Sequence, residues 1–258
     1  MDTRAEPSSL GKKVFFLYPP SVVRDELVAR LMEQEFETYM LRDHEGARRL
    51  LRKYPDSLVF VNIDEGQSEA EWETWIREVQ GDSASATVGI GIISYNTDER
   101  LQRKYLMDIG IRCGFIRLKL GVEESARILL ETLKVNEAKG RRKYVRANCA
   151  SDPMSTVNLR ADSGLISGTI LDISVVGFSC SFEADPHFPK NSILRDVQLK
   201  LRGVLVLVEG IVLGTRNDEG TMVYVVLFTP KVDGICRGKI RRYIQTALQA
   251  DIEAQVGS

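Results

Sequence analysis

The chain has 258 residues, with 35 Lys+Arg against 36 Asp+Glu and a formal net charge of −1. That length favours two domains over one, and a hydrophobic share of 43% excludes a disordered chain. Near-neutral charge argues against a protein that coats nucleic-acid polymers. Four Cys with no C-x-x-C pair and two distant His suggest neither a zinc site nor a disulfide framework. This cysteine usage fits a reducing, cytoplasmic setting. The start, MDTRAEPSSLGKK, has no apolar signal region, and no apolar run approaches ~18 residues, so no membrane span is expected. Residues 1–10 read as a disordered tail.

From Lys13 the pattern alternates strand and helix. The apolar run Lys13–Tyr18 (KVFFLY) is stopped by Pro19-Pro20, and Ser21 is the expected cap of a helix carrying Val23, Leu27, Leu31 and Met32 at helical spacing. Phe36–Leu41 reads as a strand and Asp43–Tyr54 as a helix with Ala47, Leu50 and Leu51 on its apolar face. Leu58–Ile63 is a third strand. Ser68-x-x-Glu71 is a capping box that opens a helix with Trp72, Trp75, Ile76 and Val79. Val88–Ile93, a helix near Asp98–Met107, Cys113–Leu118 and a helix over Glu123–Ala138 complete five strand–helix pairs. Continuously apolar strands of this kind belong to a parallel sheet covered on both faces. The expected fold of residues 11–138 is therefore a flavodoxin-like doubly wound α/β domain, whose working site lies at the carboxyl ends of its strands.

In length and layout this domain resembles a response-regulator receiver, and it departs from one in the reactive parts. Receivers hold Mg²⁺ with an acidic pair after the first strand, because a hard cation needs carboxylate oxygens. Here Tyr18-Pro19-Pro20 stands in that place. Asn62 falls in the phosphoacceptor slot, and Asp64 comes two residues late. Ser94 and Lys119 occupy receiver-like positions, but Leu120 replaces the proline that usually follows the lysine. An amide is a poor phosphoryl acceptor, so the reading is a non-phosphorylated pseudo-receiver, with Asp64 as a displaced acceptor the competing one.

After about Ala138 the alternation stops. Thr156–Ala161, Gly164–Ile173, Gly177–Phe182, Ser192–Leu201, Val204–Thr215 and Thr221–Phe228 all read as strands. Asp162-Ser163-Gly164 and Asn217-Asp218-Glu219-Gly220 are turn signals between them. Six short antiparallel strands suggest a six-stranded β-barrel, which leaves no exposed edges. Phe178, Cys180 and Phe182 alternate with Ser179 and Ser181, one face in and one out. From Cys236 the chain reads as a C-terminal helix, with Ile240, Tyr243, Ile244, Ala247 and Leu248 in one apolar stripe. The barrel and its helix are assigned to residues 151–258, with residues 139–150 as a basic linker and switch segment.

That linker carries Lys139-Gly140-Arg141-Arg142-Lys143-Tyr144-Val145-Arg146, a local charge concentration hidden by the neutral total. About 25 residues downstream, Asp172-x-Ser174-x-x-Gly177 lies at a strand–turn–strand junction. Arg142-x-x-x-Arg146 followed by Asp172-x-Ser174-x-x-Gly177 resembles the R-x-x-x-R and [D/N]-x-S-x-x-G motifs of the PilZ domain family. The resemblance covers about residues 139–258. It implies a six-stranded barrel that binds the bacterial second messenger cyclic di-GMP, with Arg141, Arg142, Arg146, Asp172, Ser174 and Gly177 at the ligand.

The residue types suit such a ligand. Arginine presents a planar donor fork to phosphate oxygens or to the O6/N7 edge of guanine, and lysine does not reproduce it. Asp172 can accept from guanine N1–H and N2–H₂. Ser174 offers a small hydroxyl, and Gly177 permits a tight turn and close approach of the ligand to the backbone. Arg141 extends the motif to R-R-x-x-x-R, which in the family accompanies an intercalated ligand dimer.

No catalytic constellation is visible, no cofactor is implied, and the chain reads as a sensor and not an enzyme. Ligand binding is expected to order the 139–146 segment, reorient the two domains and control an unidentified protein partner, with motility and biofilm outputs implied by the family. Competing readings are a response regulator controlled through its receiver-like domain, a nucleic-acid binder using the basic segment, and an adaptor that has lost its ligand.

Overall fold

The computed structural model describes residues 11–140, 143–161 and 164–256. The expected tail over residues 1–10, the motif residues Arg141 and Arg142, and Asp162-Ser163 of the first turn signal lie outside the described residues. The chain divides into two compact units, Met1–Lys143 with Asp251–Ser258 and Tyr144–Ala250.

In the first unit a five-stranded parallel sheet has the order β2-β1-β3-β4-β5, the flavodoxin-like doubly wound order. Its strands are β1 (Val14–Leu17), β2 (Thr38–Leu41), β3 (Leu58–Asn62), β4 (Gly89–Ser94) and β5 (Phe115–Arg117). Every residue of β1, β3 and β4 is buried, because helices cover both faces. The helices are α1 (Val28–Glu33), α2 (His44–Lys53), α3 (Glu69–Gly81), α4 (Glu99–Arg103) and α5 (Val122–Val135).

Local signals explain most helix starts. The Asp43 carboxylate accepts from the N–H groups of Glu45 and Gly46 to cap α2, and Ser68 with Glu71 forms the expected capping box of α3. The expected cap at Ser21 is not made. A π-helical turn, Val23–Leu27, precedes α1 with no side-chain cap, and the N–H groups of Val23 and Arg24 bond the Pro20 carbonyl instead. A second π-helical stretch, Lys104–Ile109, continues α4 and ends at Gly110 in the left-handed region.

The second unit is a closed six-stranded antiparallel barrel. Its strands are β7 (Ser155–Ala161), β8 (Gly164–Ser174), β9 (Gly177–Phe182), β10 (Ile193–Leu201), β11 (Val204–Asp218) and β12 (Thr221–Phe228). They run β8-β7-β10-β11-β12-β9, and β8–β9 pairing closes the ring. Leu199 and Leu201 of β10 and Val206 and Val208 of β11 fill the interior, while Lys200 and Leu205 point to solvent.

Two details differ from the sequence reading. A further strand, β6 (Arg146–Asn148), lies inside the 139–150 segment read as linker and pairs with the end of β8. The alternation on β9 is also incomplete. Ser179 is 3% exposed, because its hydroxyl bonds the Asp172 carboxylate across the β8–β9 pair. Phe182 is only half-buried and packs on Phe188 and Tyr224.

The C-terminal helix α6 (Gly234–Val256) buries the expected stripe of Ile240, Tyr243, Ile244, Ala247 and Leu248. Its Tyr243 hydroxyl lies 2.6 Å from Ser155 Oγ at the start of β7. No helix among the described residues is long and apolar enough to cross a membrane.

Candidate ligand-binding site

Two places invite chemistry, and their geometries differ. At the carboxyl ends of the parallel strands, Tyr18 follows β1 with φ at 52°. Its ring packs on Trp72 with centroids 5.8 Å apart, and a Cβ on Gly66 would lie 2.8 Å from that ring. The ring therefore fills the corner in which a receiver keeps its acidic pair. Its hydroxyl lies 3.1 Å from His44 Nδ1, and burial followed by the charge of Asp43 raises its pKa.

Asn62, 1% exposed, is a structural amide. Its Nδ2 donates to the Tyr18 carbonyl at 2.8 Å, and its Oδ1 accepts from the Asp64 N–H at 3.2 Å. The Asp64 carboxylate is likewise engaged: one oxygen takes the Ser94 hydroxyl and the other the Tyr95 N–H, both at 2.6 Å. Lys119 sits exposed on the short 3₁₀ turn after β5. Among the described residues no group of three or more His, Cys, Asp and Glu is placed to hold a metal ion. The arrangement braces loops by hydrogen bonds, and Asp64 is engaged in that bracing through both carboxylate oxygens.

The second place is a cleft on the barrel surface, lined by Arg146, Asp172, Ser174, Gly177, Ser179 and Arg216 among others. Pairing of β6 with β8 sets Arg146 opposite Ser174 and Asn148 opposite Asp172. Arg146 Nη1 lies 3.6 Å from Asp172 Oδ1, while the other Asp172 oxygen accepts from Ser179. A carboxylate offers about four lone-pair directions, so Asp172 keeps acceptor capacity towards the cleft.

Ser174 and Gly177 close the β8–β9 hairpin around Val175-Val176. Two-residue hairpin turns usually need positive φ and hence Gly, Asn or Asp, yet neither valine has positive φ. The turn is held from outside instead. The Ser174 hydroxyl donates to the Gly177 carbonyl at 3.2 Å and accepts from the Val176 N–H at 3.4 Å. The Val176 carbonyl accepts from the Phe228 N–H at 2.9 Å, and the Val175 carbonyl from Arg237 Nη1 of α6 at 2.7 Å. Gly177 is required for space: a Cβ there would lie 2.3 Å from the Val226 carbonyl oxygen of β12. Its role is to admit the neighbouring strand, a different reason from the expected turn conformation.

The structure thus brings Arg146, Asp172, Ser174 and Gly177 to one cleft, with Ser174 only 4% exposed and spent on the turn. Arg141 and Arg142 lie outside the described residues. Sequence reading missed Ser179 and Arg216. Neither stands in a motif, and only strand register carries them to the cleft.

Residues 140–246 match the family model described as PilZ domain. Among solved structures, the chain resembles "PilZ domain with c-di-GMP of YcgR" from Escherichia coli at 13% identity, over 44% of this chain and 96% of that one, with a TM-score of 0.38. It resembles the MrkH–c-di-GMP complex of K. pneumonia at 16% identity, over 47% of this chain and 57% of that one, with a TM-score of 0.36. It also resembles the signal receiver domain of an HD domain-containing protein from Pseudomonas fluorescens Pf-5 at 14% identity, over 50% of this chain and 99% of that one, with a TM-score of 0.40. Among curated proteins, none matches the chain.

Proposed function

We propose, for a chain whose residues 140–246 are a PilZ domain, that it is a bacterial receptor and effector for cyclic di-GMP. The observation that carries this reading is the meeting of Arg146 and Asp172 across the β6–β8 pair, at the mouth of one cleft. A guanidinium that takes phosphate or the guanine O6/N7 edge stands beside a carboxylate that takes guanine N1–H and N2–H₂. That combination suits a ligand with both groups and does not suit a simple anion, which Asp172 would repel. Arg141 and Arg142 are assigned to the same ligand from the sequence motif, with an intercalated ligand dimer as the bound state. The protein is read as a non-catalytic regulator.

The effector part of the proposal concerns the segment that joins the two units. Arginines within residues 139–146 bind the ligand, so occupancy changes that segment and, through it, the relation between the units and the surface offered to a protein partner. Small-angle scattering with and without saturating ligand tests this part, and an unchanged profile contradicts it.

The receptor part is tested by equilibrium binding of cyclic di-GMP against cyclic di-AMP, GMP and an oligonucleotide. Selective binding of cyclic di-GMP is expected. Equal binding of cyclic di-AMP, or a preference for the oligonucleotide with a steep salt slope, contradicts it.

A further inference from the structure

Resting on the receptor reading, we propose that Arg216 is an additional ligand-binding residue, which takes a phosphate of the dinucleotide from the side of the cleft opposite Arg146. Arg216 lies near the end of β11, outside both motifs, and lines the same cleft as Arg146 and Asp172.

Strand register places it. Arg216 pairs with Val223 on β12, and Val223 with Ser181 on β9. Asp172 pairs with Ser179 on β9, and Ser179 with Val225 on β12. Arg216 and Asp172 therefore stand on the two walls, with β9 and β12 forming the floor between them. Three strand spacings of ~4.8 Å separate the walls by roughly 14 Å along the sheet. Long side chains from both walls can close that span on one ligand carrying two phosphates.

Charge points the same way. Arg146 is paired with Asp172, whereas the Arg216 guanidinium makes no ion pair or hydrogen bond with another described residue. An exposed cation without an acidic partner, beside the half-exposed apolar Val225 and Leu227, is the cleft's free anion-binding group. The turn residues Ser174 and Gly177 are occupied by the fold itself, so ligand contacts have to come from other side chains of this kind.

Isothermal titration with cyclic di-GMP on the full chain tests the assignment, comparing wild type with Arg216→Ala, Arg216→Lys and Arg160→Ala. Arg160 is a matched exposed arginine on β7 in a separate recess beside Leu165 and Gln198. The expected result is a loss of about tenfold in affinity for Arg216→Ala, most of it recovered by Arg216→Lys because a phosphate accepts a point charge. Arg160→Ala is expected to bind like wild type. Binding by wild type and Arg216→Ala at the same affinity overturns this inference and leaves the receptor reading standing. Failure of Arg216→Lys to improve on Arg216→Ala overturns the assignment to phosphate. Absence of binding by wild type overturns the receptor reading itself.

Discussion

Arg237 of α6 donates a guanidinium N–H to the Val175 carbonyl at 2.7 Å, and its Nε also donates to the Val232 carbonyl. The contact fastens the C-terminal helix to the two-residue turn that carries Ser174 and Gly177. That turn has no Gly, Asn or Asp to favour its backbone, so the bond substitutes for turn chemistry. Arg237→Met, which keeps the apolar stem, is expected to leave a folded chain destabilised by about 1–2 kcal/mol and to weaken cyclic di-GMP binding severalfold. Urea unfolding and a titration check the two effects. Full affinity in Arg237→Met would show that the turn holds its shape without the helix.

Gly177→Ala separates a structural from a ligand-contacting glycine. The added methyl would sit 2.3 Å from the Val226 carbonyl oxygen, which is backbone and cannot swing aside. A loss of about 2–3 kcal/mol in barrel stability is expected in chemical denaturation without any ligand. Gly214→Ala is the control. A Cβ there meets nothing within 4 Å, and its effect should stay within about 0.5 kcal/mol. A Gly177→Ala protein of unchanged stability that has lost only ligand affinity would contradict the account.

The receiver-like unit should not store phosphoryl groups. Incubation with acetyl phosphate is expected to leave no acid-stable, base-labile label on Asp64, whose two oxygens are bonded to Ser94 and to the Tyr95 N–H. Asp64→Ala removes the acceptor for the fully buried Ser94 hydroxyl and should cost about 1–3 kcal/mol. Retained label at Asp64 would restore a phosphorylation-controlled reading.

The barrel carries a pH-dependent fastening at Asp152. Burial alone would raise its pKa, but the Arg202 guanidinium, the Met154 N–H and the Ser155 hydroxyl outweigh burial and hold the carboxyl below its ordinary value. A depressed folded-state pKa contributes stability above the unfolded value, near ~4, and that contribution disappears as pH falls through the folded value. Wild type should therefore exceed Asp152→Asn in urea midpoint at pH 6, and the gap should close below about pH 4. A gap that persists unchanged to pH 3 would assign the role of Asp152 to something other than its charge.

The outline of both folds was legible because the sequence signals were local. Apolar runs such as Leu58–Val61, bounded by helix caps at Asp43 and Ser68, announce a covered parallel sheet, and the six barrel strands follow from β-rich runs between breaks, although β9 departs from strict alternation and the β8–β9 turn carries no turn residue. The Arg146, Asp172 and Gly177 positions were legible through motif spacing. What escaped was non-local. β6 is three residues long, too short for any periodicity, and forms only because β8 offers it an edge. Ser179 and Arg216 reach the cleft through pairing across β9, β12 and β11. The reason for Gly177 lies in β12, almost fifty residues away. Ser21 carried the residue type of a cap, but the Pro20 carbonyl takes the Val23 and Arg24 N–H groups that a Ser21 side chain would accept from.

The central claim, that the Arg motif and the β8–β9 cleft form one receptor for cyclic di-GMP, is tested most directly by isothermal titration of that ligand into wild type, Arg142→Ala and Asp172→Ala at one fixed salt concentration. Saturable binding by wild type is expected, with each variant weaker by about 1.5–3 kcal/mol, roughly tenfold to a hundredfold. No heat of binding in folded wild type, or unchanged affinity in both variants, would contradict it.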